Sequence, residues 1–240
     1  GQMDQLTFLD VTPLSLGIET FGGLMNVLIP RNSTIPVKAG EVFTTAVANQ
    51  KEMLIHTLQG EREKANDNWS LGRFVIPFEK APKGVPRVGV QFEIDANGIL
   101  HVLARDIHTG KEQILEIRSA INVDDAKVTK MVESSVEHAM EDFDARRWIE
   151  SKLKAEDLLK AVAQSLEDCE ADLEPDYLLQ IRQAETDLTA NLSRENVEKN
   201  TGDVDALKHS MTVLDSITQK LADIQLDKIT EQMLNQNLPS

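Results

Sequence analysis

Apolar and polar positions alternate with period two in the first half of the chain and recur at helical spacing in the second. The clearest alternation is Val88, Val90, Phe92 and Ile94, with Gly89, Gln91 and Glu93 between them. That pattern predicts a strand with one buried and one wet face. Asp95-Ala96-Asn97-Gly98 follows, a strong hairpin signal, and Leu100, Val102 and Ala104 return on one face. Strands are also predicted over 11–20, 24–29, 41–47 and 53–58, broken by Gly22-Gly23, Pro30-Arg31-Asn32 and Pro36. A turn at His108-Thr109-Gly110 leads to Leu115 and Ile117. Seven or eight short strands at this spacing predict an antiparallel sandwich with an aliphatic core.

After Ile121 the period changes. Asn122 and Asp124-Asp125 supply capping oxygens and first-turn acids for a helix. Val128, Val132, Val136, Ala139 and Phe143 form its apolar stripe. The phase slips between Phe143 and Ile149, which predicts a kink or junction near 143–148. The stripe resumes at Leu153, Leu158, Val162, Leu166, Cys169 and Leu173. Pro175 suits the first turn of the next helix, with Leu178, Ile181, Leu188 and Leu192 inward. Thr201-Gly202-Asp203 reads as a stop followed by a cap, and the last helix carries Leu207, Met211, Leu214, Ile217, Leu221 and Ile224. The first long helix exceeds what a three-helix bundle covers, so its early part is expected on the sandwich.

Composition divides the chain at the same place. Eleven of twelve Gly lie at or before Gly110, and six of eight Pro at or before Pro86. Residues 1–121 hold 12 Lys+Arg against 14 Asp+Glu, and residues 122–240 hold 13 against 26. The fold class expected is α+β with two segregated subdomains, an antiparallel β-sandwich followed by helices that end in a bundle. A net charge of −15 argues against nucleic acid as a partner and mildly favours basic ligands. No apolar run reaches the roughly 18 residues of a membrane span, so no membrane partner is expected. No secretory h-region opens the chain. Cys169, the single cysteine, allows no internal disulfide, and a reducing, cytoplasmic setting is expected.

Catalytic chemistry finds no footing. The five histidines make no His-x-x-x-His pair and have no cysteine beside them, so no metal site is expected. His56 and His101 fall inside strands and read as satisfied sheet histidines. No Gly-x-x-x-x-Gly-Lys loop, Gly-x-Gly-x-x-Gly turn or Gly-x-Ser-x-Gly elbow occurs. Cys169 sits on an apolar stripe and reads as core. The sequons at Asn32, Asn68 and Asn191 read as chance matches. The many carboxylates of the second half stand at surface helical spacing, as a solvated face does. No enzyme is expected in this chain.

Specificity comes from a set of short motifs. Asp10-Val11-Thr12-Pro13-Leu14-Ser15-Leu16-Gly17-Ile18-Glu19-Thr20 is followed by Gly22-Gly23, Ile29-Pro30-Arg31-Asn32 and Thr34-Ile35-Pro36. Leu58-Gln59-Gly60-Glu61-Arg62 and Asp95-Ala96-Asn97-Gly98-Ile99-Leu100 complete it. Together these resemble the substrate-binding half of the DnaK-type 70-kilodalton heat-shock chaperones, over nearly the whole β half. The helical half resembles the family's lid only in pattern, with Lys130-Met131-Val132 as the best local match.

The resemblance implies a chaperone of the stress response that binds extended hydrophobic segments of unfolded proteins under a helical lid. On it, residues 1–10 are a linker remnant, 11–121 the peptide-binding sandwich, 122–235 the lid and 236–240 a tail. The linker falls on Leu6, Phe8, Leu9 and Asp10; Thr7 and Phe8 depart from the family's uniformly aliphatic linker. The central pocket falls on Ile18, Phe43, Met53, Ile55, Val88 and Ile94, and the arch over the peptide on Phe21 and Ala46. Thr20 and Thr44 supply backbone partners, with Gln50 near the peptide. The lid latch falls on Glu156 and Lys83. A second family latch uses an acid where Ala48 stands, so a weaker latch is expected. No cofactor is expected here; ATP and Mg belong to a nucleotide-binding domain absent from these residues. A J-domain co-chaperone and a nucleotide-exchange factor would serve the full-length protein.

The residues also stand alone as a reading. Met53 among aliphatic neighbours gives a flexible pocket floor. Burying one Leu or Ile contributes roughly 1.5–3 kcal/mol, too little alone for useful affinity. Main-chain hydrogen bonds to an extended peptide would add the rest. Two alternatives stay open. One is the iron–sulfur-cluster-assembly branch of the family, which Ile29-Pro30-Arg31-Asn32 and Gly202-Asp203-Val204-Asp205-Ala206 resemble. The other is a structural or exchange-factor-like module that binds no peptide. The short, partly apolar ends, Leu6–Leu9 and Met233–Pro239, are candidates for self-association.

Overall fold

The computed structural model describes residues 10–236. Eight strands form two four-stranded antiparallel sheets. They are β1 (Leu16–Thr20), β2 (Leu24–Ile29), β3 (Val37–Thr44), β4 (Glu52–Gln59), β5 (Trp69–Pro77), β6 (Arg87–Ile94), β7 (Leu100–Asp106) and β8 (Glu112–Ile117). One sheet runs β2-β1-β4-β5 and the other β3-β6-β7-β8. Inward-facing Leu16, Ile18, Ile55 and Ile76 of the first meet Val88, Val90, Phe92 and Val102 of the second in one apolar core. The β6 alternation buries Val88, Val90, Phe92 and Ile94. The hairpin after it closes with Gly98 N–H donating to the Asp95 carbonyl at 3.0 Å. Gly98 alone in this turn takes a positive φ, 79°, so Gly follows a tight turn rather than occupying its centre. The Asp95 carboxylate caps this turn. It is held below the usual carboxylate range first by its hydrogen bond to His101 and then by the Ile99 N–H.

Several boundaries differ from the sequence expectation. β1 begins at Leu16, and Val11 makes only an isolated bridge to Thr34. β3 spans Val37–Thr44 rather than 41–47, because pairing with β6 starts directly after Pro36 and ends where Thr45 turns to accept from Gly84 N–H. β5 has no counterpart among the predicted strands. Its core-facing residues are Leu71, Phe74 and Ile76, and the odd step from 71 to 74 hides the period. The β4–β5 register shifts at Thr57/Leu58, which is the irregularity that such a phase slip requires.

Four helices follow: α1 (Asp125–Glu137), α2 (Ala139–Cys169), α3 (Pro175–Ser193) and α4 (Val204–Gln236). Asp124 caps α1 by accepting from Ala126 N–H at 2.8 Å. Asp203 caps α4 by accepting from Ala206 N–H at 2.9 Å, and Pro175 opens α3. The break falls at His138, not at 143–148, and α2 runs on without interruption. The stripe slips there because the covered side of the helix changes while the helix itself continues. Val136 and Phe143 of the expected stripe are exposed, and Met131 is the buried apolar residue of α1.

The chain divides into two compact units, Gly1–Asp142 and Phe143–Ser240. The first unit therefore holds the sandwich, α1 and the first turn of α2. Arg62, in the loop after β4, reaches α1 and α2. Its Nε donates to Asp142 Oδ2 at 2.7 Å and its Nη2 to Asp142 Oδ1 at 3.0 Å, while Nη1 donates to Ser134 Oγ at 3.0 Å. Burial pushes the Asp142 carboxyl up, but the Arg62 hydrogen bond and charge outweigh it and hold the group below the usual carboxylate range.

The second unit packs α3, α4 and the rest of α2 around Trp148, Leu166, Ile181, Leu188, Leu207 and Leu214. Trp148 Nε1 donates to Glu195 Oε1 at 2.8 Å, and Lys152 Nζ to the other Glu195 oxygen at 2.8 Å. Cys169 is buried and free, its thiol pushed up by that burial. A Cβ on Gly202 would stand 2.5 Å from Trp148 Cζ3, and Trp148 is fully buried. Gly202→Ala is therefore expected to cost about 1–3 kcal/mol by overpacking. A lowered melting temperature for the helical signal checks this; an unchanged one would mean that the ring yields freely.

Candidate functional site

Where β1 ends and β4 begins, the two sheets leave a cleft of about 310 Å³. Ile18 and Ile55 are buried core residues that form its floor. Met53, Phe43 and Phe21 rise along its sides, with Phe21 half exposed at the rim. Thr20, Thr44 and Gln50 complete the predicted lining, and Glu19, Leu54 and His56 add to it. The walls come from different sheets, β1 and β4 on one side and β3 on the other, so strand register sets the opening.

Hydrogen bonds fix the rim. The Thr44 hydroxyl donates to the Pro86 carbonyl at 2.8 Å. Gln50 is held on both sides: its Oε1 accepts from Ala46 N–H at 3.3 Å and its Nε2 donates to the Glu52 carbonyl at 2.8 Å. The β3–β4 loop is braced by Gly84 N–H on Thr45 Oγ1 and by Asn49 N–H on the Ala81 carbonyl. Ala46 is thus tied through its N–H to Gln50, a residue of the cleft lining, and Lys83 lies in the bracing loop.

Glu19 is held in place from behind. His56 Nδ1 lies 2.8 Å from Glu19 Oε1, and His56 Nε2 lies 2.7 Å from Ser70 Oγ. A carboxylate only accepts, so Nδ1 carries a proton. The result is a positioned carboxylate at the edge of an apolar cleft, suited to basic groups beside an apolar ligand.

Two further predicted pocket residues, Val88 and Ile94, are not among the side chains that line the cleft. Val88 is fully buried, paired with Phe43 in the β3–β6 register, and Ile94 is fully buried at the opposite end of that register, across from Val37. Both face inward from β6, in the same apolar core as the floor residues Ile18 and Ile55. Of the linker residues, Asp10 accepts from Ile35 N–H at 3.1 Å, while Leu6, Phe8 and Leu9 lie outside the described residues. Glu156 lies on α2, in the second unit, and Lys83 in the first. At the C-terminal end Met233 and Leu234 are exposed on α4, and 237–240 are outside the described residues. No helix among the described residues is long and apolar enough to cross a membrane.

Sequence reasoning assigns Glu19 and His56 no part in the site. Their link joins β1 and β4 across 37 positions, and alternation alone cannot show which polar pair meets at a cleft. A family model described as Hsp70 protein matches residues 1–223, nearly the whole chain, and the chain therefore belongs to the Hsp70 family of chaperones.

Proposed function

We propose that this chain holds extended, apolar segments of unfolded client proteins in the cleft between β1, β3 and β4. The observation that carries the reading is the cleft itself, an opening of about 310 Å³ with an aliphatic floor and a wall of thioether and aromatic side chains. A Leu or Ile side chain entering it gains roughly 1.5–3 kcal/mol from burial. Main-chain bonds at the rim near Thr20 and Thr44 would supply affinity that ignores client sequence. Glu19 and the acidic chain favour clients with basic flanks.

In this reading the helices of 122–235 gate the cleft. ATP with Mg would act in a nucleotide-binding domain, served by a J-domain co-chaperone and an exchange factor. The test of the whole reading is fluorescence anisotropy with a labelled Leu-rich peptide carrying basic flanks. Saturable binding supports it, and failure of a broad peptide panel would point to a structural module. The latch is tested separately. Glu156→Ala is expected to speed peptide release about two- to fivefold, because an exposed ion pair contributes up to about 1 kcal/mol. A stopped-flow release rate that does not move would remove Glu156 from the latch.

A further inference from the structure

A second, larger cavity lies away from the cleft. It measures about 640 Å³ and opens between β5, the segment before α1, and α1 itself. Its apolar wall is Trp69, Leu71, Val123 and Met131. Lys127 and Lys130 line it from α1. They stand three residues apart, so they share one helix face, and neither has an ion-pair or hydrogen-bond partner among the described residues.

Of the other polar groups of the wall, four are already engaged, and Ser119 and Asn122 line it as small neutral side chains. Asp67 pairs with Arg62 and Lys64. Asp124 is the α1 cap. Gln59 Nε2 donates to the Ala120 carbonyl at 2.7 Å, and Ser134 Oγ accepts from Arg62. What remains is a trough of apolar side chains, the neutral groups of Ser119 and Asn122, and two uncommitted cations. The size falls within the roughly 300–1,000 Å³ of ligand pockets.

We propose that this cavity binds a single-chain amphiphilic carboxylate, a medium-length fatty acid. Its tail lies along Trp69, Leu71, Val123 and Met131, and its carboxylate sits between Lys127 and Lys130. An unbranched tail asks nothing of the wall except apolar surface, and a single anionic head answers both lysines. Each methylene buried should improve affinity by about fourfold. This inference is independent of peptide binding, because the residues that line this cavity are not those that line the cleft.

The test titrates dodecanoate, below its micelle concentration, into the whole chain by calorimetry. Trp69 fluorescence provides a second readout, with Trp69→Phe as the control that identifies its signal. Expected is one saturable site, with decanoate weaker than dodecanoate by about fifteenfold and dodecanol weaker by about tenfold. The Lys127→Ala/Lys130→Ala pair, on an exposed helix face, should weaken binding about tenfold with an unchanged circular dichroism spectrum. A saturating Leu-rich peptide should leave the affinity unchanged. Binding that ignores both lysines, or that the peptide abolishes, would overturn the assignment, and so would no saturable binding.

Discussion

Met53→Asp is expected to weaken binding of a Leu-rich peptide on the order of 100-fold while the melting temperature stays near that of the parent chain. Met53 is only half-buried, at the start of β4, and its side chain lines the cleft rather than the deep core. An aspartate there can reach water in the free protein, so folding is spared. A bound Leu or Ile would instead desolvate the carboxylate in an apolar hole, which costs roughly 2–4 kcal/mol on top of the lost contact. Each 1.4 kcal/mol is about tenfold in affinity. Anisotropy and thermal unfolding, measured on the same sample, separate the two effects. Unchanged affinity would refute the pocket, and a collapsed melting temperature would place Met53 in the core instead.

Arg62→Ala should produce the largest loss of stability. The guanidinium is forked onto Asp142, and the two side chains are 12 % and 7 % exposed. Removing the cation leaves a mostly buried carboxylate uncompensated, which typically costs about 3–5 kcal/mol. Hydrogen exchange should show α1 opening before the sandwich, since Arg62 is the residue that bonds both Ser134 and Asp142. Replacing both partners by apolar residues, Arg62→Met with Asp142→Leu, should restore much of the loss. pH gives a second check. The carboxyl pKa of Asp142 is depressed on folding, so its contribution is fully present above the unfolded value of about 3.9. It is lost as the pH falls through the lower folded value. The parent chain should therefore lose stability in acid along a segment of the pH curve that Arg62→Ala lacks. A loss below about 1 kcal/mol in the variant would show that solvent screens the pair.

The same pair marks the limit of what the sequence reveals. Strand β6, the Gly98 turn, the Asp124 and Asp203 caps and the Pro175 start all follow from local rules. Each depends on neighbours within a few residues. The face of α1 that meets the sandwich does not. Its hydropathy points to Val136, yet the contact is made by Met131 and the polar Ser134, joined by Asp142 in the first turn of α2 and answered by an arginine 80 positions from Asp142. β5 escapes detection for a related reason, a bulge that breaks the period. In the cleft, alternation shows that Ile18 and Ile55 face inward, but not that the sandwich opens there. Nor does it separate Met53, which lines the opening, from Ile94, which lies in the core. Gly202, part of a motif that resembles the iron–sulfur branch, has a packing reason in Trp148 and so does not by itself favour that branch.

The most direct test is a methyl-resolved NMR titration of the whole chain, labelled at Ile and Met, with a Leu-rich peptide. Peptide held in the cleft predicts saturable shifts at Ile18, Met53 and Ile55, with Ile94 and Ile181 unmoved. Shifts that bypass those three methyls, or an unaltered spectrum at saturating peptide, would contradict it.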